Sequence, residues 1–334
     1  MKSCLFLFLC LLVHFKFSFA QCCAGGSGSP IAGGASQGVL LERQVELNTN
    51  FQFINTSQFY KGDSRDKFKY FDNFSSSYQY FRLAYGVTYN FTMSLETGYY
   101  FSKKEIGLNK NPSTTYSSSG IGDLIIFPRY DIINRTEEDH RTELTLGLGY
   151  KIPLGSYNDS TGNIEPFSGE IFYVTNPQAV QLSTGAQDII FYLFGSRTYS
   201  LKNVRIFANA LYIKKGWNPI GEKLGDYASI GLFFGKTFFE KLGVTLQVRG
   251  EWVDKMKLNE TILLNAYPNY DPEATGYKKI FIAPQLSFTH GKFAAYVLTD
   301  IPVYQYVTQS QIGSQFSATV GLSYRFFAVS KTLE

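Results

Sequence analysis

The stretch Val39 to Ile54, VLLERQVELNTNFQFI, alternates along its whole length. Val39, Leu41, Arg43, Val45, Leu47, Thr49, Phe51 and Phe53 take the odd positions, and Glu42, Gln44, Glu46, Asn48, Asn50 and Gln52 fall on the even ones. Successive side chains of a strand point to opposite faces, so the pattern reads as a sheet with one apolar and one polar side. It runs far longer than the five or six residues of an ordinary strand.

The same alternation returns at Phe91, Met93, Leu95, Thr97, Tyr99 and Phe101, and again at Phe316, Ala318, Val320, Leu322, Tyr324 and Phe326. Its polar face carries Gly, Ser, Thr and charges, unlike the Lys and Glu surface of a soluble protein. Connections between such segments alternate in length. Short ones fall near 88–90, 134–140, 200–203, 239–242 and 290–292; long ones fall at 55–73, 105–119, 154–185, 216–225, 256–276 and 304–314. Short turns at one end and long loops at the other describe an outer-membrane barrel. We count about twelve strands, near 39–54, 74–88, 91–104, 120–133, 141–153, 186–199, 204–215, 226–238, 243–255, 277–289, 293–303 and 315–327. The expected fold is therefore all-β, a closed antiparallel transmembrane β-barrel with both termini periplasmic. In hydrocarbon, an unpaired backbone group costs several kcal/mol, which forces the sheet to close.

Composition agrees. Of 334 residues, 44% are hydrophobic and 17% charged, which excludes a disordered chain. The 24 Tyr and 30 Phe against 2 Trp are an aromatic excess that the girdles and lipid face of a barrel would absorb. Lys2, the apolar run Leu5 to Val13 and the small-x-small site Ser18-Phe19-Ala20 make residues 1–20 a signal peptide. Residues 21–38 are a Gly/Ser-rich leader, periplasmic or tucked into the lumen; 39–327 form the barrel, and 328–334 a short periplasmic tail. Beyond residue 20 no apolar run approaches the roughly 18 residues of a spanning helix.

A net charge of +4 without any basic block excludes nucleic acid as a partner. Cys4 and Cys10 leave with the signal, so Cys22 and Cys23 cannot make a disulfide framework; they are adjacent, lack spaced partners, and are weak candidates for a metal. The two mature histidines, His140 and His290, both fall in short turns, which argues against an enzyme, and no cofactor is expected. Segments returning from long loops open on Gly, as in Gly120-Ile121-Gly122-Asp123, Gly185-Ala186-Gln187-Asp188 and Gly225-Asp226, where Gly allows the bend and Asp would face water.

At these residues the chain resembles the outer-membrane transporters grouped as the MetA-pathway of phenol degradation family. The resemblance lies in Gly120-Ile121-Gly122-Asp123-Leu124 leading to Pro128-Arg129-Tyr130, in Leu146 to Gly155, and in Ile301-Pro302-Val303-Tyr304-Gln305-Tyr306 ahead of Val320 to Phe326. The start Cys22-Cys23-Ala24-Gly25-Gly26 resembles Bacteroidetes-type barrels. The resemblance implies a channel for small molecules, hydrophobic or aromatic ones among them, and no catalytic residue. One departure is that Phe326-Phe327 does not end the chain, whereas such barrels usually finish on an aromatic residue.

Parity points Glu42, Glu46, Arg82, Glu96, Asp123, Arg129, Asp131, Glu143, Lys151, Asp188, Arg249, Glu251 and Arg325 inward, as candidates to line the lumen. Charges of both signs there either sort solutes or pair and fill a closed lumen. The function expected is passive diffusion of small molecules across a Gram-negative outer membrane, the partners being outer-membrane lipid, the barrel assembly machinery and an unidentified solute. The alternative is a non-transporting surface scaffold whose long loops bind a partner.

Overall fold

The computed structural model describes residues 38–164, 167–259 and 272–328. The expected signal peptide, most of the expected leader with Cys22 and Cys23, and most of the expected tail lie outside them. Twelve long strands follow one another around a single sheet: β1 (Gln44–Thr56), β2 (Asn73–Thr88), β3 (Phe91–Ile106), β4 (Leu124–Thr136), β5 (Arg141–Ile152), β6 (Asp188–Tyr199), β7 (Val204–Lys214), β8 (Tyr227–Phe238), β9 (Leu242–Val253), β10 (Tyr277–His290), β11 (Phe293–Ile312) and β12 (Ser317–Phe327). Each pairs antiparallel with its sequence neighbours. β1 closes the ring on β12 from Gln44 opposite Phe327 to Ile54 opposite Ser317, so no open edge remains. No α-helix occurs among the described residues.

Alternation sets the two surfaces. On β2, residues 74, 76, 78, 80, 82 and 84 are buried while Phe81, Leu83 and Tyr85 are exposed. The exposed set continues around the wall through Leu95, Leu148, Phe191, Leu232, Leu246 and Val320, an apolar belt that only lipid can cover. Exposed aromatics mark its ends, with Tyr89, Phe238, Phe293 and Phe327 toward the short turns and Phe101, Tyr212, Trp252 and Tyr304 toward the long loops.

Three expectations need correction. β1 starts at Gln44, because Arg43 takes φ 61° and turns the chain. Residues 38–41 therefore do not continue the strand despite their alternation. β11 runs on to Ile312, where a long loop from Tyr304 was expected, and pairs beyond the rim with Phe59–Gly62. Within β11 one residue, Val303, is left over at a register shift, between Pro302 opposite Phe281 and Tyr304 opposite Ile280. The aromatic excess, finally, is not confined to the girdles and the lipid face: Tyr78, Tyr80, Tyr100, Phe127, Tyr192, Phe194, Phe207, Phe233, Tyr227, Tyr277 and Tyr296 are buried inside.

Candidate functional site

The interior has two unlike walls. β12, β1, β2 and β3 present polar groups. Register places Glu46 opposite Arg325 on one neighbour, and Arg82 opposite Glu96 on the other. Glu46 accepts from Arg82 and, at 2.6 Å, from Nε of Arg325. Glu96 accepts from the Tyr80 hydroxyl at 2.8 Å and from Ser94 at 2.9 Å. Glu46 and Glu96 are each 1% exposed, so these partners replace their hydration.

The facing wall, β4 to β10, carries an aromatic cluster between charged tiers. Phe127, Ile190, Tyr192, Phe194, Phe207, Leu211, Phe233 and Tyr277 belong to one buried cluster. Phe207 and Phe233 stack at 4.2 Å with an interplanar angle of 14°. Several rings lie flat against the sheet over inward-facing glycines. A methyl on Gly98 would fall within the Tyr78 ring and one on Gly321 within the Tyr296 ring; at Gly147 it would come 2.9 Å from Phe127.

Toward the short turns the charges form a second tier. Asp131 accepts from Thr145 at 2.5 Å and Asn134 at 2.9 Å. Glu143 accepts from Ser196 at 2.7 Å and pairs with Arg141 at 2.8 Å and Arg205 at 3.5 Å. Toward the long loops lies a third: Lys151 pairs with Asp123 at 2.7 Å and Asp188 at 3.1 Å, and Lys215 with Asp188 at 3.0 Å. Burial holds the Lys215 ammonium below its usual range, against the opposing pull of Asp188. Arg249 joins Glu251 at 2.9 Å and Asp300 at 3.0 Å. Asp123 and Asp188, expected to face water beside their glycines, are instead tied to these lysines.

Of the sequence candidates, Glu46, Arg82, Glu96, Arg129, Asp131, Glu143, Lys151, Asp188 and Glu251 are buried inside, Asp123 and Arg249 nearly so, and Arg325 lies half-exposed at the rim. Glu42 does not join them. It stands in the turn before β1, more than half exposed, 3.5 Å from Arg43, because the turn at Arg43 breaks the parity that pointed it inward. The candidate set omits Arg205, Lys279 and Asp300, which the same alternation would have found, and Lys103, which it would not. A bulge at Phe101 shifts the inward set of β3 from even to odd positions, so Lys103 and Glu105 are buried.

Two segments obstruct the lumen. At the short-turn end residues 38–40 cross inside the barrel as a strap. The Leu40 N–H donates to Thr92 Oγ1 at 2.8 Å, Arg129 Nη1 donates to the Gly38 carbonyl at 2.9 Å, and the Leu40 side chain is buried. At the other end the loop between β5 and β6 sends a hairpin outward, Ser160–Ile164 with Ile171–Thr175, and then turns inward over residues 176–186. Val180 packs with Phe59, Phe74 and Ile312, Leu182 with Tyr78, Tyr80 and Tyr100, and Lys103 Nζ donates to the Gln181 carbonyl at 2.6 Å. The Gln181 side chain braces the turn by donating to the Asp159 and Asn176 carbonyls.

A cavity of about 700 Å³ lies on the outer wall, rimmed by Phe91, Tyr130, Leu148, Phe191, Tyr212 and Trp252. Those side chains face lipid, whose acyl chains fill such a recess, so it is set apart from the lumen. Among the described residues one group has metal-ligand proximity, Glu137, Asp139 and His140 in the turn between β4 and β5. Arg197 lies 2.7 Å from His140 Nε2 and Asp139 2.5 Å from Nδ1, so both ring nitrogens are engaged within the protein. The hydrogen bond from His140 holds the Asp139 carboxyl below the usual range.

No protein-family model matches the chain, and comparison with curated proteins gives no match. Solved structures do match. An outer membrane channel from Pseudomonas putida F1 is similar with a TM-score of 0.65 at 11% identity, covering 88% of this chain and 99% of that one. The β domain of a Bordetella autotransporter gives 0.46 at 11% identity, over 85% and 99% of the two chains. The translocator domain of the autotransporter NalP from Neisseria meningitidis gives 0.45 at 12%, over 84% and 88%. The first likeness is one of fold, and the other two add nothing to it. A ring of twelve antiparallel strands, a lipid-facing apolar belt and that shared architecture make this chain a β-barrel of the bacterial outer membrane.

Proposed function

We propose that the protein is a passive channel for small molecules with apolar or aromatic bodies, its short turns and termini in the periplasm and its long loops outside. The observation that carries this reading is that one lumen holds both a polar network around Glu46, Arg82 and Glu96 and an aromatic cluster around Phe194, Phe207 and Phe233. A passage for molecules that are mostly apolar uses the cluster for the body and the polar groups for the head. The residues proposed to line it are the inward set above, without Glu42. Because the strap and the loop at 176–186 narrow both ends, conductance should be small. Replacing Leu182 with Asp, which unseats the loop from Tyr78 and Tyr100, should raise it severalfold in planar bilayers. Unitary currents that are absent in both proteins would sink the channel reading.

A second reading, a surface scaffold, draws on the outward hairpin, where Phe167, Ile171 and Tyr173 are exposed. It is favoured if no current is seen and removal of those side chains abolishes capture of a cell-surface partner.

A further inference from the structure

Glu105 stands on the inner face of β3, four residues past Phe101 and roughly 13 Å further along the strand, above the girdle at the long-loop end. It is 8% exposed, and among the described residues no hydrogen bond or ion pair reaches its carboxyl. The sheet sets it opposite Phe74 on β2 and opposite Tyr116 in Tyr116–Ile121, a short segment that pairs with the end of β3. Phe74 belongs with Phe59, Val180 and Ile312 to one buried cluster, against which Tyr116 and Ala179 pack. Two residues back on the same face, Lys103 donates to the Gln181 carbonyl. Glu105 therefore lies in the seat of the loop that turns inward over residues 176–186.

Other buried acids of the lumen are provided for. Glu46 has Arg82 and Arg325, Glu96 has Tyr80 and Ser94, and Glu143 has Arg141, Arg205 and Ser196. Leaving an ionised carboxylate in such a seat without a partner is costly, whereas the neutral acid is tolerated. We propose that Glu105 is a proton-controlled latch: as the neutral acid it lets the 176–186 loop close the outer end of the lumen, and as the carboxylate it unseats that loop. What the latch gates rests on the channel reading; the latch itself does not. The groups that face Glu105 are few. Lys103 stands beside it on β3 and Tyr116 across from it, while the loop 176–186 has no titratable side chain. Phe59–Gly62 brings Phe59 to the cluster and leaves Lys61 exposed, the end of β11 brings Ile312, and Asp72 accepts from the Lys110 N–H at 2.9 Å. Burial alone pushes the Glu105 carboxyl up to about 8. A carboxyl raised in the closed form and ordinary in the open one favours closure at low pH. As pH climbs from the ordinary carboxyl range to about 8, the ratio of open to closed loop rises by up to about tenfold per unit, and it levels off above.

The test uses the full mature protein in phosphatidylcholine vesicles, digested briefly with proteinase K at about pH 5.5 and about pH 8.5, with cut sites read by mass spectrometry. Cleavage within 176–186 is divided by cleavage at the exposed turn around Phe167, which cancels the protease's own response to pH. In the parent this ratio should be at least about tenfold higher at the alkaline pH. Glu105→Gln, which keeps the shape of the neutral acid and cannot ionise, should stay at the low ratio throughout, and Glu105→Asp should keep the response. A parent ratio that does not move with pH overturns the latch, and that arm needs no variant to fold. An equal rise in Glu105→Gln overturns it too, assigning the response to the loop's other ties, Lys151 to Thr184 and Gln178 to Glu222. Single-channel currents of the same preparations separate the two readings. A loop that loosens with pH in a barrel that never conducts keeps the latch and loses the channel, whereas a barrel that conducts equally at both pH values with its loop uncut loses the latch alone.

Discussion

Glu46 receives guanidiniums from both of its neighbours in the sheet, Arg82 from β2 and Arg325 from β12, and so spans the seam at which the barrel closes. Arg82 is 8% exposed, so removing the carboxylate it donates to breaks a buried pair and leaves only Glu96, opposite it on β3, to balance the cation. Glu46→Gln should cost about 3 to 5 kcal/mol in urea unfolding from lipid vesicles. Arg325→Gln, whose side chain is 40% exposed, should cost about 1 kcal/mol or less. Equal costs for the two would mean that the three residues do not act as a unit. The inward placement of these charges was legible in the sequence, since Glu46, Arg82 and Arg325 all fall on the polar side of an alternating run. What parity could not convey was which charges meet, because that depends on the register between strands remote in sequence.

At the scale of the element, β3 joins both surfaces in one strand. Leu95 stands in the lipid-facing belt and Glu96, its neighbour, is buried against Tyr80 and Ser94. Leu95→Arg should cost roughly 2 to 4 kcal/mol near the bilayer midplane. Tyr80 and Ser94 donate to different oxygens of Glu96, and Gln keeps one of them while Ser94 retains the Phe127 carbonyl at 3.1 Å, so Glu96→Gln should cost less than Leu95→Arg and change ion selectivity, read as a shifted reversal potential. Folding yields in the opposite order would invert the face assignment. The same strand shows why sequence reading falters near the long loops. The bulge at Phe101 inserts one residue, and from there every inference drawn from even and odd positions points to the wrong side. β11 takes a similar step at Val303 and still runs on to Ile312. At the other rim a positive φ at Arg43 ends an alternation that the letters continue. Each failure is a local departure from regular strand geometry, and none of them alters the count of twelve.

For the whole molecule, closure ties all twelve strands into one cooperative sheet with no edge from which to peel it. The folded protein should therefore stay compact in SDS at room temperature and shift its gel mobility only on boiling; a form that dissolves as a stable monomer without detergent would contradict the barrel. Strand number and shear set the width of the backbone cylinder, and that width is common to barrels of this size. The free passage inside is another quantity. In this barrel Tyr78 and Tyr296 lie flat because Gly98 and Gly321 have nothing to put beneath them. A single methyl at either glycine would tip a ring off the wall and toward the axis. The calibre of the conduit is thus adjustable one carbon at a time, at positions that carry no side chain, without adding a strand or moving a charge.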